Sequence, residues 1–116
     1  MLFCIKGRNF LFIEQLKNLL KSDELNAVVT KQFENAILNW NKEYPEETIG
    51  INCNEFNADG LNFVSLNLSK ANKSNYKYKI EATYCKTFSN NLKLIYILKF
   101  WDNFTIYDDV LYTEID

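Results

Sequence analysis

The sequence contains no histidine. That absence removes Ser–His–Asp and Cys–His nucleophilic sites, histidine-ligated metals and an imidazole pH switch. Arginine occurs once, as Arg8, which leaves one candidate for bidentate recognition of phosphate or carboxylate; its plainer role is a solvated turn residue. Three glycines and one proline leave few hinge points. No Gly-rich phosphate loop, Gly-x-Ser-x-Gly elbow or Cys-x-x-Cys pair is present. The three cysteines, Cys4, Cys53 and Cys85, are odd in number and far apart, so they cannot all pair and fit no zinc module. No apolar stretch approaches the roughly 20 residues that a bilayer-spanning helix needs. The longest candidate, Leu92 to Trp101, is broken by Lys93 and Lys99. In the segment Met1 to Arg8 the charges follow the apolar run, which is the wrong order for a signal peptide. These absences describe a cytoplasmic protein with no membrane association, no cofactor, no metal and no visible catalytic group.

What is present fits one domain over residues 1–116. With 47% hydrophobic and 24% charged residues the chain has the composition of a globular protein, and it is long enough to bury a core without disulfides. Aromatics are abundant, with nine Phe, seven Tyr and two Trp. The net charge is -2, so the whole molecule is not an electrostatic nucleic-acid binder. Its distribution is uneven. From Lys70 to Lys99 there are seven lysines against one acid, Glu81, whereas from Phe100 to Asp116 there are five acids and no base. A smaller acidic group, Glu43, Glu46 and Glu47, surrounds the single proline. The plain reading of such blocks is solvated charge; the functional one is an acidic surface that steers toward a basic partner.

Along the chain, Leu2 to Ile5 allows a short strand, and Asn9 can cap a helix to about Lys21 carrying Phe12, Ile13, Leu16, Leu19 and Leu20 at helical spacing. Ser22 or Asp23 caps a second helix, whose stripe is Leu25, Val28, Val29, Phe33, Ala36, Ile37, Trp40 and Tyr44, and which Pro45 stops. From Ile49 the period becomes two. Strands are expected at about 49–55, 61–69, 75–88, 92–101 and 104–113, joined by short turns and therefore antiparallel. The expected fold is α+β, with two N-terminal helices packed on one face of an antiparallel four- to five-stranded meander sheet.

The central hairpin makes the sharpest statements. Tyr76, Tyr78, Ile80, Ala82, Tyr84 and Phe88 point one way; Lys77, Lys79, Glu81, Thr83, Cys85 and Thr87 point the other. A three-residue loop at 89–91 pairs Phe88 with Leu92, Tyr84 with Tyr96 and Ile80 with Phe100 on the core face. It also pairs Glu81 with Lys99 as an ion pair and Lys79 with Trp101 as a cation–π contact on the other face. The run Tyr76–Lys79 resembles aromatic interleaving for nucleic acid. Side chains alternate in a strand, however, which separates the rings from the lysines and sets that use aside. The outer face mixes Cys85, Ile95, Ile97 and Trp101 with lysines, as an interaction patch does, unless the first helix or the N-terminal segment covers it.

Asp108 and Asp109 are adjacent on a strand and so face apart, a poor clamp for a metal. The size, acidity, abundance of Asn and Lys with one Arg, and lack of a catalytic motif resemble the small immunity proteins of bacterial toxin–immunity pairs, including those of contact-dependent growth inhibition. The resemblance is one of general character over the whole chain. It implies a cytoplasmic partner, a cognate toxin domain such as a basic nuclease, bound without catalysis. Residues proposed for that contact are Trp101, Tyr107 and Tyr112 as aromatic anchors, Asp102, Asp108, Asp109 and Glu114 as phosphate mimics, and the group Glu43, Glu46 and Glu47. Two other readings stand beside it. Helices followed by a long-stranded meander also resemble the NTF2-like cone, with a small-ligand or enzymatic pocket lined by Tyr78, Tyr84, Tyr96 and an acid. The lysines of 70–99 allow a nucleic-acid-binding module.

Overall fold

The computed structural model describes residues 14–18, 21–73, 75–88 and 91–115. They fall into two compact units, one up to Gln32 and the other from Phe33 onward, with the division inside a long helix. In the first unit residues 14–18 are helical, Leu16 is buried, and Lys17 and Glu14 form an exposed ion pair at 3.8 Å. The rest of the helix expected over 9–21, and the strand expected at 2–5, lie outside the described residues.

The long helix, α1, spans Asp23–Glu43. Ser22 caps it, its Oγ accepting the Leu25 amide at 3.2 Å, and Asp23 and Glu24 complement the positive end of the helix dipole. The buried positions are Val29, Phe33 and Ile37, a line at spacing four and narrower than the expected stripe. Val28 and Tyr44 are exposed. One residue is a 100° step around a helix, so Val28 turns off the line that Val29 defines, and Tyr44 lies beyond the last helical turn.

The fifth strand expected at about 49–55 is not a strand. A 3-10 turn at Pro45–Thr48 and another at Cys53–Glu55 occupy this stretch. Local side chains take the backbone groups that a ladder would use. Asn52 Oδ1 accepts the Asn54 amide at 3.1 Å, Asn57 Oδ1 accepts the Asp59 amide at 2.9 Å, and Gly50 supplies a φ of 91°. Thr48 is buried, its hydroxyl bonded to Asn41 Oδ1 and to the Pro45 carbonyl.

Four strands then run β1 Asn62–Lys73, β2 Tyr76–Thr87, β3 Leu92–Trp101 and β4 Ile106–Ile115, paired in that order and antiparallel throughout. The chain is thus α+β, with a four-stranded meander among the described residues. The β2–β3 register is the expected one: Tyr84 stands opposite Tyr96, Ile80 opposite Phe100, Glu81 opposite Lys99 and Lys79 opposite Trp101. The Phe88 amide donates to the Leu92 carbonyl at 2.8 Å, and Asn91 takes the left-handed conformation at φ 66°. The β3–β4 turn repeats this closure: the Trp101 amide donates to the Thr105 carbonyl at 3.0 Å with Phe104 at φ 66°. Ile80, Ala82, Leu94, Tyr96, Leu98 and Phe100 form the buried side of the sheet. Phe33 of α1 meets the Tyr96 ring edge-on at 5.5 Å.

One lysine lies in that buried row. Lys86 stands opposite Leu94 and is 5% exposed, so the ring-bearing side of β2 is not wholly apolar. Its ammonium donates to the carbonyls of Glu55 at 2.7 Å and Asn57 at 2.6 Å and to Asn57 Oδ1 at 3.2 Å. Three donors meet three acceptors, and β2 is fastened to the α1–β1 connection. Burial pushes the Lys86 pKa down, against the pull of Asp59, Glu55 and Glu34.

Candidate partner-binding surface

The face of the sheet opposite this core is built by alternation. From β2 it carries Lys79, Glu81, Thr83 and Cys85; from β3, Lys93, Ile95, Ile97, Lys99 and Trp101; from β4, Asp108, Val110, Tyr112 and Glu114. At the Trp101 end three rings stack across three strands. The Tyr76 ring lies 4.8 Å from Trp101 at 3°, and the Tyr107 ring lies 4.1 Å away at 21°. These spacings are close to the interstrand distance of about 4.8 Å, as expected when each ring stands on its own strand. Because β2 and β4 flank β3, the two tyrosines take opposite faces of the indole.

Both tyrosines reach this position through local departures from alternation. The β3–β4 register steps from Lys99 opposite Asp108 to Phe100 opposite Ile106, so Tyr107 is the extra residue of a bulge. A bulge turns its extra side chain away from strict alternation, here onto Trp101. Tyr76 begins β2 beside a second irregularity, between Lys70 and Lys73 of β1. By parity with Ile80 it belongs to the core row, yet its ring lies on Trp101. The expected separation of tyrosines from lysines therefore fails at this one corner. The expected cation–π contact also has a different donor: Lys73 Nζ, not Lys79, lies over the indole at 5.4 Å.

The charged residues proposed from sequence do not form one ledge. Asp108 and Glu114 stand opposite Lys99 and Lys93, and Lys99 also pairs with Glu81 at 3.8 Å. The lysine block and the acid block of the sequence thus meet as cross-strand partners. Asp109 lies on the core side, opposite Leu98, where its Oδ2 accepts the Tyr96 hydroxyl at 2.9 Å. Asp102, in the β3–β4 turn, accepts the Lys77 amide at 3.0 Å. Glu43, at the end of α1, and Glu46 and Glu47, on the connection after it, form a separate exposed group, with Glu47 accepting the Trp40 indole N–H at 2.8 Å. Trp101, Asp102, Tyr107 and Asp108 therefore come together, Tyr112 and Glu114 continue along the same face, and the others lie elsewhere. Missed in the sequence were Tyr76 and Lys73, whose signal, a hairpin end where alternation breaks, exists only once strands are paired.

Among the described residues no cluster of three acidic or cysteine side chains is placed to hold a metal. Cys53 and Cys85 are free thiols. No described helix is long and apolar enough to cross a membrane. On the buried side, Tyr84 packs edge-on against Phe63 at 5.7 Å, and burial raises its pKa to about 12. The Tyr96 pKa is raised further, by burial and then by the bond to Asp109. Comparison with protein-family models, with curated proteins and with solved structures finds no match.

Proposed function

We propose that this chain is a non-enzymatic binding protein that docks a partner protein on the β3–β4 end of the sheet. In its most concrete form it is a cytoplasmic immunity protein that neutralises a cognate bacterial toxin domain. The observation that carries the reading is the Tyr76–Trp101–Tyr107 stack with Asp102 and Asp108 beside it. Rings held by one another lose little rotamer freedom on docking, and aromatic anchors rimmed by charge are what partner-binding sites use. A basic domain, such as a nuclease, suits the neighbouring carboxylates.

The core side supports this reading over a ligand-binding cone. Tyr84 and Tyr96, which would line the cone's pocket, are packed against Phe63 and Phe33, and the Tyr96 hydroxyl is taken by Asp109. The stack also argues against single-stranded nucleic acid. Tyrosines already stack on the indole, and Lys93 and Lys99 of the same face stand opposite Glu114 and Asp108.

The test is to recover the tagged protein from its native host, identify a stoichiometric partner, and express that partner's toxic domain with this chain. Wild-type protein is expected to restore growth; Trp101→Ala and the combined Asp102→Asn, Asp108→Asn, Glu114→Gln variant, both folded by circular dichroism, are expected to fail. Equal protection by folded Trp101→Ala, or a partner whose toxicity is unchanged by the wild type, overturns the proposal.

A further inference from the structure

Three features of β4 converge on its outer edge. The strand is the last of the sheet: it pairs with β3 along one side and, among the described residues, with nothing along the other. Its register runs without interruption from Asp108 to Ile115, whereas the other edge strand, β1, is broken by two irregularities. It is also exposed along most of its length, Ile115 at 84%, Tyr112 at 43% and Tyr107 at 37%. A long, regular, exposed edge is a template for another strand unless the sequence blocks it.

The chemistry of β4 selects which strand. It carries Asp108, Asp109 and Glu114 and no base. Pairing with β4 of a second copy would bring two sets of three carboxylates together, which like-charge repulsion opposes. The inner side already displays what the strand accepts: β3 places Lys99 opposite Asp108, Lys93 opposite Glu114, and Ile95 and Ile97 between them. Tyr107 stacks on Trp101 yet stays 37% exposed, which leaves ring surface that a cationic side chain can lie on.

We propose that β4 binds an extended basic segment of a partner protein as a fifth strand, with main-chain hydrogen bonds along 108–115 and alternate lysine or arginine side chains against Asp108, Glu114 and the Tyr107 ring. This deepens the binding-protein reading above and rests on it for biological context, but its test is separate.

The probe is an acetylated, amidated ten-residue peptide alternating lysine with valine and threonine, added to the full chain. Its control is the same peptide N-methylated at every backbone position, which keeps the charge and removes the donors from both edges of the peptide. Expected are slowed amide exchange along 107–115, no binding of the N-methylated peptide at the same concentration, and at least tenfold weaker binding by the Asp108→Asn, Glu114→Gln variant. Equal binding of the N-methylated peptide, protection on β1 instead of β4, preference for an oligothymidylate over the peptide, or self-association of the free protein through β4 each overturns the proposal. If the peptide adds to β4 while no toxin domain is neutralised, the immunity reading fails and this one stands. If a toxin domain is neutralised equally by the Asp108→Asn, Glu114→Gln variant and the peptide does not bind, the reverse holds.

Discussion

The Lys86 ammonium donates to the Asn57 carbonyl at 2.6 Å, across 29 residues of chain. A buried cation whose three donors are all taken by one loop behaves as a tether. Lys86→Met keeps the length of the side chain but leaves the Glu55 and Asn57 carbonyls without their donor. The expected cost is about 2–4 kcal/mol in urea unfolding, from loss of charge-assisted bonds and two unsatisfied acceptors. Amide exchange should accelerate first at 53–60. A loss below about 1 kcal/mol, within the range of an ordinary neutral hydrogen bond, would mean that the loop holds itself.

Tyr96 and Asp109 make the second tether, from the buried row to the edge strand. Tyr96→Phe is expected to cost about 1–2 kcal/mol. Asp109→Asn retains an acceptor oxygen and should cost less than Asp109→Ala, as measured by denaturant midpoints at neutral pH. The reverse ranking would show that the bond is incidental.

The buried tyrosines also set an alkaline limit. Tyr84 is raised to about 12 and Tyr96 is raised as well, against 10.0 in the open chain. A group whose folded pKa lies above its unfolded one stabilises below the unfolded value and loses that contribution as pH rises through the folded one. For Tyr84 the loss falls between pH 10 and 12 and amounts to about 2–3 kcal/mol. Lys86 acts in the opposite sense, because its lowered pKa makes the unfolded chain the better proton binder below 10.5 and lets stability rise with pH there. Unfolding free energies at pH 9 to 12 should therefore fall for the wild type and fall far less for Tyr84→Phe, Tyr96→Phe. Parallel curves for both proteins would refute the assignment.

The stacked rings should couple pairwise. Double-mutant cycles to alanine are expected to give about 0.5–1.5 kcal/mol for Trp101 with Tyr107 and a similar value for Trp101 with Tyr76. Tyr112, on the same face but opposite Ile95, should show near-zero coupling to Trp101. A Tyr112–Trp101 coupling as large as that of Tyr107 would indicate a different arrangement of the face.

Much of this architecture was readable in the residues, because its causes are local. The capping Ser22, the stop at Pro45, the period of two after Leu61 and the Asn-rich turn before Leu92 act over a few residues. With the hairpin loop they set the β2–β3 register down to Glu81 opposite Lys99. The candidate site was legible only in its composition: Trp101, Tyr107, Asp102 and Asp108 could be named, but not the stack that joins them.

Pairing between strands decided the rest, since its effects come from residues distant in sequence. It turned a lysine block and an acid block into facing partners, moved Asp109 to the core side and let a bulge swing Tyr107 onto Trp101, while the α1–β1 connection gave Lys86 a buried place by supplying three oxygens. Alternation assigns a side chain to a face, but only the neighbouring strand determines what that face meets. A charge can be buried or a ring held upright only where another segment supplies the matching group.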